Sequence, residues 1–323
     1  MTLCLSEADI RAVLPMPDLI GAMETALAAF SSGKVVQPVR PVVEMGEGAL
    51  FAAMPGFVRA PAVLGAKLVA VIGANRARGL PTHQASILLL DPETGALIAL
   101  MDGRLITEMR TAAASAVSAR YMARADARVL TILGSGVQAR SHLAALMLWR
   151  SFPEVRVWSP TLDHVRQFAA ESPSPVRVCL SAAEAVRGAD VVVLATASAT
   201  PVIEDGWVAP GAHVVSVGAC RPNQREMDPE LVARARVVVD SRESAFQESG
   251  DIVLGLREGR FANGHIVAEL GEVVLGSVPG RTSESEITVF KSLGLAVEDL
   301  AAARLAYQRA TEQGKGVRID LGG

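Results

Sequence analysis

The chain has 323 residues, half of them hydrophobic and a fifth charged, enough for two domains with real cores or one large one. A net charge of −3 with no Lys/Arg-rich run argues against nucleic acid, and no stretch approaches the roughly eighteen apolar residues of a membrane helix. Cys4, Cys179 and Cys220 are too widely spaced for a metal site or a disulfide framework, and the N-terminus lacks a signal-peptide pattern, so a reducing, cytoplasmic setting is expected.

Ser6-x-x-Asp9 reads as the cap of a short helix. Residues 17–32 carry helical apolar spacing (Leu19, Ile20, Met23, Leu27, Phe30) and stop at Gly33. Strand-like runs follow at 49–54, 62–72 and 84–90. The turn Asp91-Pro-Glu-Thr-Gly95 brings the chain back as a strand at 96–101, which makes a hairpin. The first part is thus two helices with a mostly antiparallel sheet. Residues 105–122 form a helix crowded with small side chains (Ala112, Ala113, Ala114, Ser115, Ala116), a smooth surface suited to close packing. From 128 onward, strands at 128–133, 154–158, 176–179, 190–195, 212–217 and 236–240 alternate with helices at 136–149, 161–170, 181–186 and 228–235. Repeated βα units imply a parallel sheet with right-handed crossovers. Residues 288–313 read as one long amphipathic helix.

The strand 128–133 runs straight into Gly134-Ser-Gly136-Val137-Gln138-Ala139. This is the arrangement a dinucleotide pyrophosphate needs. The first glycine makes the turn, the second admits the phosphates, the small third residue lets helix and strand pack, and the helix N-terminus faces the charge. At the end of the next strand, where NAD-specific sites place Asp or Glu, the chain has Ser159-Pro160-Thr161. Without a carboxylate to repel a 2′-phosphate, NADPH is favoured, with NADH left open. Arg140 or Arg166 could supply a cation. The alternative use of Ser159 and Thr161 is to cap the next helix, and the two uses are compatible.

Three cations stand out. Lys67 lies in Val63-Leu-Gly-Ala-Lys-Leu-Val-Ala-Val-Ile72, apolar on both faces, so its ammonium either reaches a cleft, is depressed in pKa, or guards a strand edge. Arg110 sits among alanines and threonines, facing an anion or snorkelling to the surface. Arg40, before Pro41, is in extended chain, as a carboxylate clamp or a solvated loop residue. A lone His83 is read as structural rather than as an acid.

Ordered blocks along most of the length resemble the ornithine cyclodeaminase/mu-crystallin family: Pro81-Thr-His-Gln84, Met101-Asp-Gly103, Arg110-Thr-Ala-Ala113, the glycine turn, Arg221-Pro222 with Arg225-Glu226, Val239-Asp-Ser241, Glu248-Ser-Gly-Asp251, Ala268-Glu-Leu-Gly-Glu272 and Val289 to Asp299. The later blocks are similar to its ketimine reductase branch. The resemblance implies a Rossmann domain at 118–285 and an α+β substrate and dimerisation domain at 1–117 completed by 286–323. It also implies a homodimer and a substrate site in the cleft between domains. It implies NAD(P)H-dependent reduction of cyclic ketimines, Δ1-pyrroline-2-carboxylate to L-proline and Δ1-piperideine-2-carboxylate to L-pipecolate. Cyclodeamination of ornithine, alanine dehydrogenation, and ligand binding without turnover are the alternatives.

By the same resemblance Lys67 is catalytic, and Arg40, Arg110, Glu248 and Cys220 contact the substrate. Thr82, His83 and Gln84 lie beside the cofactor, as do Thr111, the turn residues Gly134 to Gln138, Ser159 to Thr161, Thr196, Val217 and Lys291; a surface Lys291 at a helix start is the alternative. Cyclodeaminases tend to carry Asp where this chain has Cys220, a small neutral residue that cannot bind an amine or activate water as a carboxylate does.

Overall fold

A computed structural model describes residues 1–46 and 48–321; residues 47, 322 and 323, all within the expected first domain, lie outside them. The chain divides into two units, Met1–Arg110 with the segment from Leu295 onward, and Thr111–Gly294. The divisions fall at 110/111 and 294/295, where the family resemblance implied 117/118 and 285/286.

The first unit opens with β1 (Thr2–Leu5), α1 (Glu7–Val13) and α2 (Met16–Ser31). The Ser6 hydroxyl accepts from the Asp9 N–H, and the Asp9 carboxylate accepts the Ser6 N–H at 3.0 Å, the expected capping box. Then come β2 (Val35–Val36), β3 (Val42–Glu44), β4 (Leu50–Arg59), β5 (Ala62–Val71), β6 (His83–Leu90), β7 (Leu97–Asp102) and α3 (Arg104–Met122), within which the division between units falls. Strands β4 to β7 pair antiparallel in chain order, β6 and β7 forming the expected hairpin within a mostly antiparallel sheet. The four-residue β1 lies parallel to β7. Along β4 and β5 the side chains alternate, with Ala52, Met54, Val58, Val63, Lys67 and Val69 on the buried face.

The second unit contains β8 (Val129–Leu133), α4 (Val137–Trp149), β9 (Glu154–Trp158), α5 (Leu162–Glu171), β10 (Arg177–Val178), α6 (Ala182–Val186), β11 (Val191–Leu194), β12 (His213–Ser216), α7 (Pro229–Arg234), β13 (Arg236–Val239), α8 (Arg242–Glu248), α9 (Gly250–Arg257), β14 (Ile266–Glu269), α10 (Leu270–Val274) and β15 (Thr288–Lys291). Its sheet runs β10-β9-β8-β11-β12-β15-β13-β14, and every pairing is parallel. This is a Rossmann sheet. Its central strands are apolar runs buried on both faces, as helices on both sides of a parallel sheet require.

The expected helix over 288–313 is corrected here. Thr288–Lys291 is a strand between β12 and β13, and only α11 (Ala296–Gln313) is helical. Gly294 adopts a left-handed φ of 82° and breaks the run. The buried Asp240 carboxylate accepts the Leu293 and Gly294 N–H groups at 2.5 and 2.6 Å, fixing the break. β16 (Val317–Ile319) then pairs with β1 in the first sheet.

Helix α11 lies on β4, β5 and β6. Two glycines let it approach closely. A Cβ at Gly65 would meet the Leu88 carbonyl oxygen at 2.2 Å and Leu300 Cδ2 at 2.8 Å, and one at Gly56 would meet Leu300 and Ala296. The first turn of α11 is thereby lowered onto Lys67.

The second unit also carries a pH liability. His142 bonds the Gln138 carbonyl and the Ser115 hydroxyl, and His213 lies between Ser118 and Thr288. Burial lowers His142 to about 4 and His213 to about 3. The unfolded chain protonates these rings near 6.5 while the folded chain does not, so stability falls as pH drops below that value. The loss is expected to reach about 2 kcal/mol per histidine by pH 5. Denaturant midpoints at pH 7.5, 6 and 5 check this; a midpoint independent of pH would contradict it.

Candidate active site

In the first unit, five polar side chains converge on the buried face of β5. Lys67 is only 2 % exposed, and its Nζ lies 2.6 Å from Asp299 Oδ2. Arg110, the last residue of this unit, donates from Nε to Asp299 Oδ1 at 3.0 Å and from Nη1 to Glu298 Oε2 at 2.5 Å. Both carboxylates are fully buried in the first turn of α11. Arg40 is half-buried, with Nη1 4.0 Å from the sulfur of Met54, the residue paired with Lys67 across β4 and β5. The sequence readings that put Lys67 at an exposed edge and Arg110 at the surface are thus set aside.

The electrostatics follow from this burial. Desolvation lowers the Lys67 ammonium to about 8; Asp299 opposes the fall, while Arg110 and Arg40 add to it. Burial alone would raise the Asp299 carboxyl, yet Arg110 and Lys67 outweigh it and hold the carboxyl below its usual range. His83 opens β6 on the same sheet face. Burial first, then the charges of Lys67 and Arg110, lower it to about 4, so it is neutral near pH 7 and not a proton donor. Thr82 is half-buried just before it, and Gln84 is exposed.

Glu298 and Asp299 are the residues that sequence reasoning missed. The signal was present, because Asp299 is three residues after Ala296 and four before Ala303, on the buried stripe of α11.

In the second unit the glycine turn has the shape expected of a phosphate cradle. Gly134 has φ 128°, and a Cβ there would meet the Ala195 carbonyl oxygen at 2.3 Å. Gly136 has open space where its Cβ would stand, and as N-cap of α4 it leaves the first N–H groups without a side-chain partner. Val137 is exposed beside it, and the buried Gln138 Oε1 has no hydrogen-bond partner. Backbone donors at a helix start and an orphaned amide oxygen fit a dinucleotide.

At the end of β9, Ser159 is half-buried and Thr161 exposed; Thr161 is the N-cap of α5 but makes no side-chain cap bond. The Thr161 hydroxyl is therefore not used as a cap. Arg140 pairs with Glu171 at 2.8 Å, and Arg166 lies 3.7 Å from Asp163.

A second buried network stands at the carboxyl ends of β11, β12 and β15, where open parallel sheets bind ligands. Glu226 is fully buried and accepts from the Thr196 N–H and hydroxyl, the Ser216 hydroxyl, and the Gly218 and Ala219 N–H groups at 2.6–3.2 Å. Lys291 is also fully buried. Its Nζ donates to Ser216 Oγ at 3.0 Å and lies 3.3 Å from Asp251. Burial would lower that ammonium, but the carboxylates of Asp251 and Glu226 hold it above the ordinary lysine value. Lys291 is thus neither a surface residue nor at a helix start. The network fixes the turns carrying Thr196 and Val217; Glu226 was missed as a site residue, because its donors come from loops distant in sequence. Cys220 is exposed, with its thiol 3.5 Å from the Val217 carbonyl. Glu248 is half-buried at the end of α8, and Thr111 is buried next to Arg110 on α3.

Residues 1–314 match the model of the ornithine cyclodeaminase/mu-crystallin family. The chain is 46% identical to the ketimine reductase mu-crystallin of Rattus norvegicus over 293 residues, 90% of this chain and 91% of that one. The solved Δ1-pyrroline-2-carboxylate reductase of Thermococcus litoralis, in complex with NADH and L-proline, is 39% identical over 98% of this chain and all of that one, with a TM-score of 0.96. An archaeal alanine dehydrogenase dimer with bound NAD is 33% identical over 99% of each chain, with a TM-score of 0.94. With its ordered blocks, its glycine turn and its buried Lys67 cluster in place, the chain belongs to the ornithine cyclodeaminase/mu-crystallin family and is an oxidoreductase with a Rossmann domain.

Proposed function

We propose that this oxidoreductase reduces cyclic ketimine carboxylates, Δ1-pyrroline-2-carboxylate to L-proline and Δ1-piperideine-2-carboxylate to L-pipecolate. The observation that carries the reading is the buried lysine near pKa 8 beside a guanidinium whose orientation is fixed. Arg110 and Arg40 bind the substrate carboxylate, since planar forked donors match it. Lys67 supplies a proton at the imine nitrogen, and the protonated iminium is the better acceptor.

The reading places the dinucleotide on Gly134, Gly136, Val137 and Gln138, with its nicotinamide end toward Thr196 and Val217. A reduced nicotinamide bound there supplies the hydride. NADPH is proposed over NADH because residues 159–161 hold no carboxylate and the Thr161 hydroxyl is not committed to capping. A neutral Cys220, in the position where cyclodeaminases carry Asp, supports reduction over ornithine cyclodeamination. A buried lysine with a depressed pKa supports turnover over ligand binding alone.

A homodimer belongs to the same proposal. The outer face of β4 to β7 carries Phe51, Phe57, Leu64, Leu68, Leu88 and Leu100, all at least partly exposed in a single chain, and a second copy would cover it. Light scattering is expected to give twice the chain mass, and Leu68→Asp to give the monomer; a monomeric wild type would refute it.

The functional test is purified protein with NADPH or NADH and Δ1-pyrroline-2-carboxylate, followed at the reduced-nicotinamide absorbance. Cofactor consumption with L-proline formation is expected. No turnover with any cyclic or open-chain imino acid would refute the reading.

A further inference from the structure

We propose that Asp299 is a positioning residue that ties the proton donor to the carboxylate clamp, while Glu298 steers the clamp alone; the inference rests on the imine-reductase reading. Asp299 divides its oxygens. Oδ2 faces Lys67 Nζ at 2.6 Å, and Oδ1 accepts from Arg110 Nε at 3.0 Å. Glu298, the preceding residue, takes Arg110 Nη1 at 2.5 Å and makes no ion pair with Lys67 among the described residues. Two of the three guanidinium nitrogens are therefore held by one helical turn. That fixes the guanidinium plane and leaves Nη2 to receive an arriving carboxylate.

Stability alone does not explain this arrangement. Burying ion pairs under a sheet roughly breaks even against apolar packing of the same volume. The glycines at 56 and 65 that lower α11 onto Lys67 add a geometric cost of their own, since glycine weakens strands. What the arrangement secures is a fixed spacing between an acid and a clamp, and errors of about 1 Å in such spacing can cost a hundredfold in rate.

The charges around Lys67 give the role a signature. It faces Asp299 from α11, Arg110 from α3, Arg40 near Met54 of β4, and the neutral His83 from β6. Asp299 is the partner that favours the ammonium, by its charge and by its hydrogen bond. Removing its charge leaves Lys67 beside two guanidinium groups and a neutral ring, with the Glu298 carboxylate held by Arg110 Nη1, so Lys67 loses its proton at lower pH. Removing Glu298 weakens the orientation of Arg110 and leaves the direct partner of Lys67 in place.

The experiment compares Asp299→Asn and Glu298→Leu with wild type for kcat, KM and their pH dependence, using Δ1-pyrroline-2-carboxylate and NADPH. Asp299→Asn is expected to move the alkaline limb about one to three pH units lower and to reduce kcat at pH 8 about ten- to a hundredfold. Glu298→Leu is expected to raise KM about tenfold with the limb unmoved. A merely structural Asp299 would lower the melting temperature and leave the limb of the folded fraction in place. An Asp299→Asn enzyme that binds NADPH and keeps the wild-type limb and kcat overturns the inference. Should that variant not fold, an unchanged KM in Glu298→Leu overturns it and a raised KM supports it. Wild-type inactivity on every imino acid refutes the reductase reading and the inference with it, whereas wild-type turnover with an unmoved limb refutes the positioning role alone.

Discussion

Lys67→Met is expected to bind NADPH as wild type does and to lose about a hundred- to ten-thousandfold in imine reduction, the usual worth of a positioned acid. The side chain is nearly isosteric up to Nζ, so the change deletes the proton and little volume. Wild type itself should lose rate as pH rises through about 8, because the protonated lysine is the competent form and its folded pKa lies there; Lys67→Met should lack that limb. Breaking a buried pair costs about 3–5 kcal/mol when the partner is left uncompensated. Here Asp299 keeps Arg110 Nε at 3.0 Å, which places the cost at the low end. Adding Asp299→Asn to Lys67→Met should recover stability without recovering turnover. NADPH fluorescence gives the affinity and absorbance gives the rate. Unchanged turnover in Lys67→Met would remove Lys67 from the chemistry.

Gly134→Val should abolish cofactor binding while leaving a folded chain. A valine cannot adopt φ 128° without strain, and its Cβ would sit 2.3 Å from the Ala195 carbonyl oxygen, part of the backbone and unable to swing away. The turn must open, carrying Gly136 and the first N–H groups of α4 with it. Strain of about 1–3 kcal/mol at one residue, with the lost phosphate donors, corresponds to a fall of about a hundredfold or more in NADPH affinity. Fluorescence titration measures it, with circular dichroism as the folding control. Wild-type affinity would show that the turn is not the phosphate cradle.

The sequence made much of this legible through period and punctuation. Apolar strands followed by helices gave the parallel sheet, and the glycine turn gave its first crossover. The β6–β7 hairpin followed from Asp91 to Gly95. Strands of two to four residues, such as β1, β2 and β16, are too short to show a period, and only their pairing defines them. Thr288–Lys291 misled because a four-residue buried run fits helical and extended spacing alike, and its neighbours in the sheet are remote in sequence. At the site, a lysine in an apolar run announced itself. Its partner did not, because Asp299 reaches Lys67 only once α11 is laid on the sheet, and a Glu-Asp pair near a helix start reads first as a favourable interaction with the helix dipole.

The most direct test of the cationic cradle is a crystal structure of the protein with oxidised cofactor and L-proline. The amino-acid carboxylate is expected on Arg110 Nη2 and Arg40, with the ring nitrogen within hydrogen-bond distance of Lys67 Nζ. A proline whose carboxylate touches neither arginine, or whose nitrogen lies away from Lys67, would contradict the account.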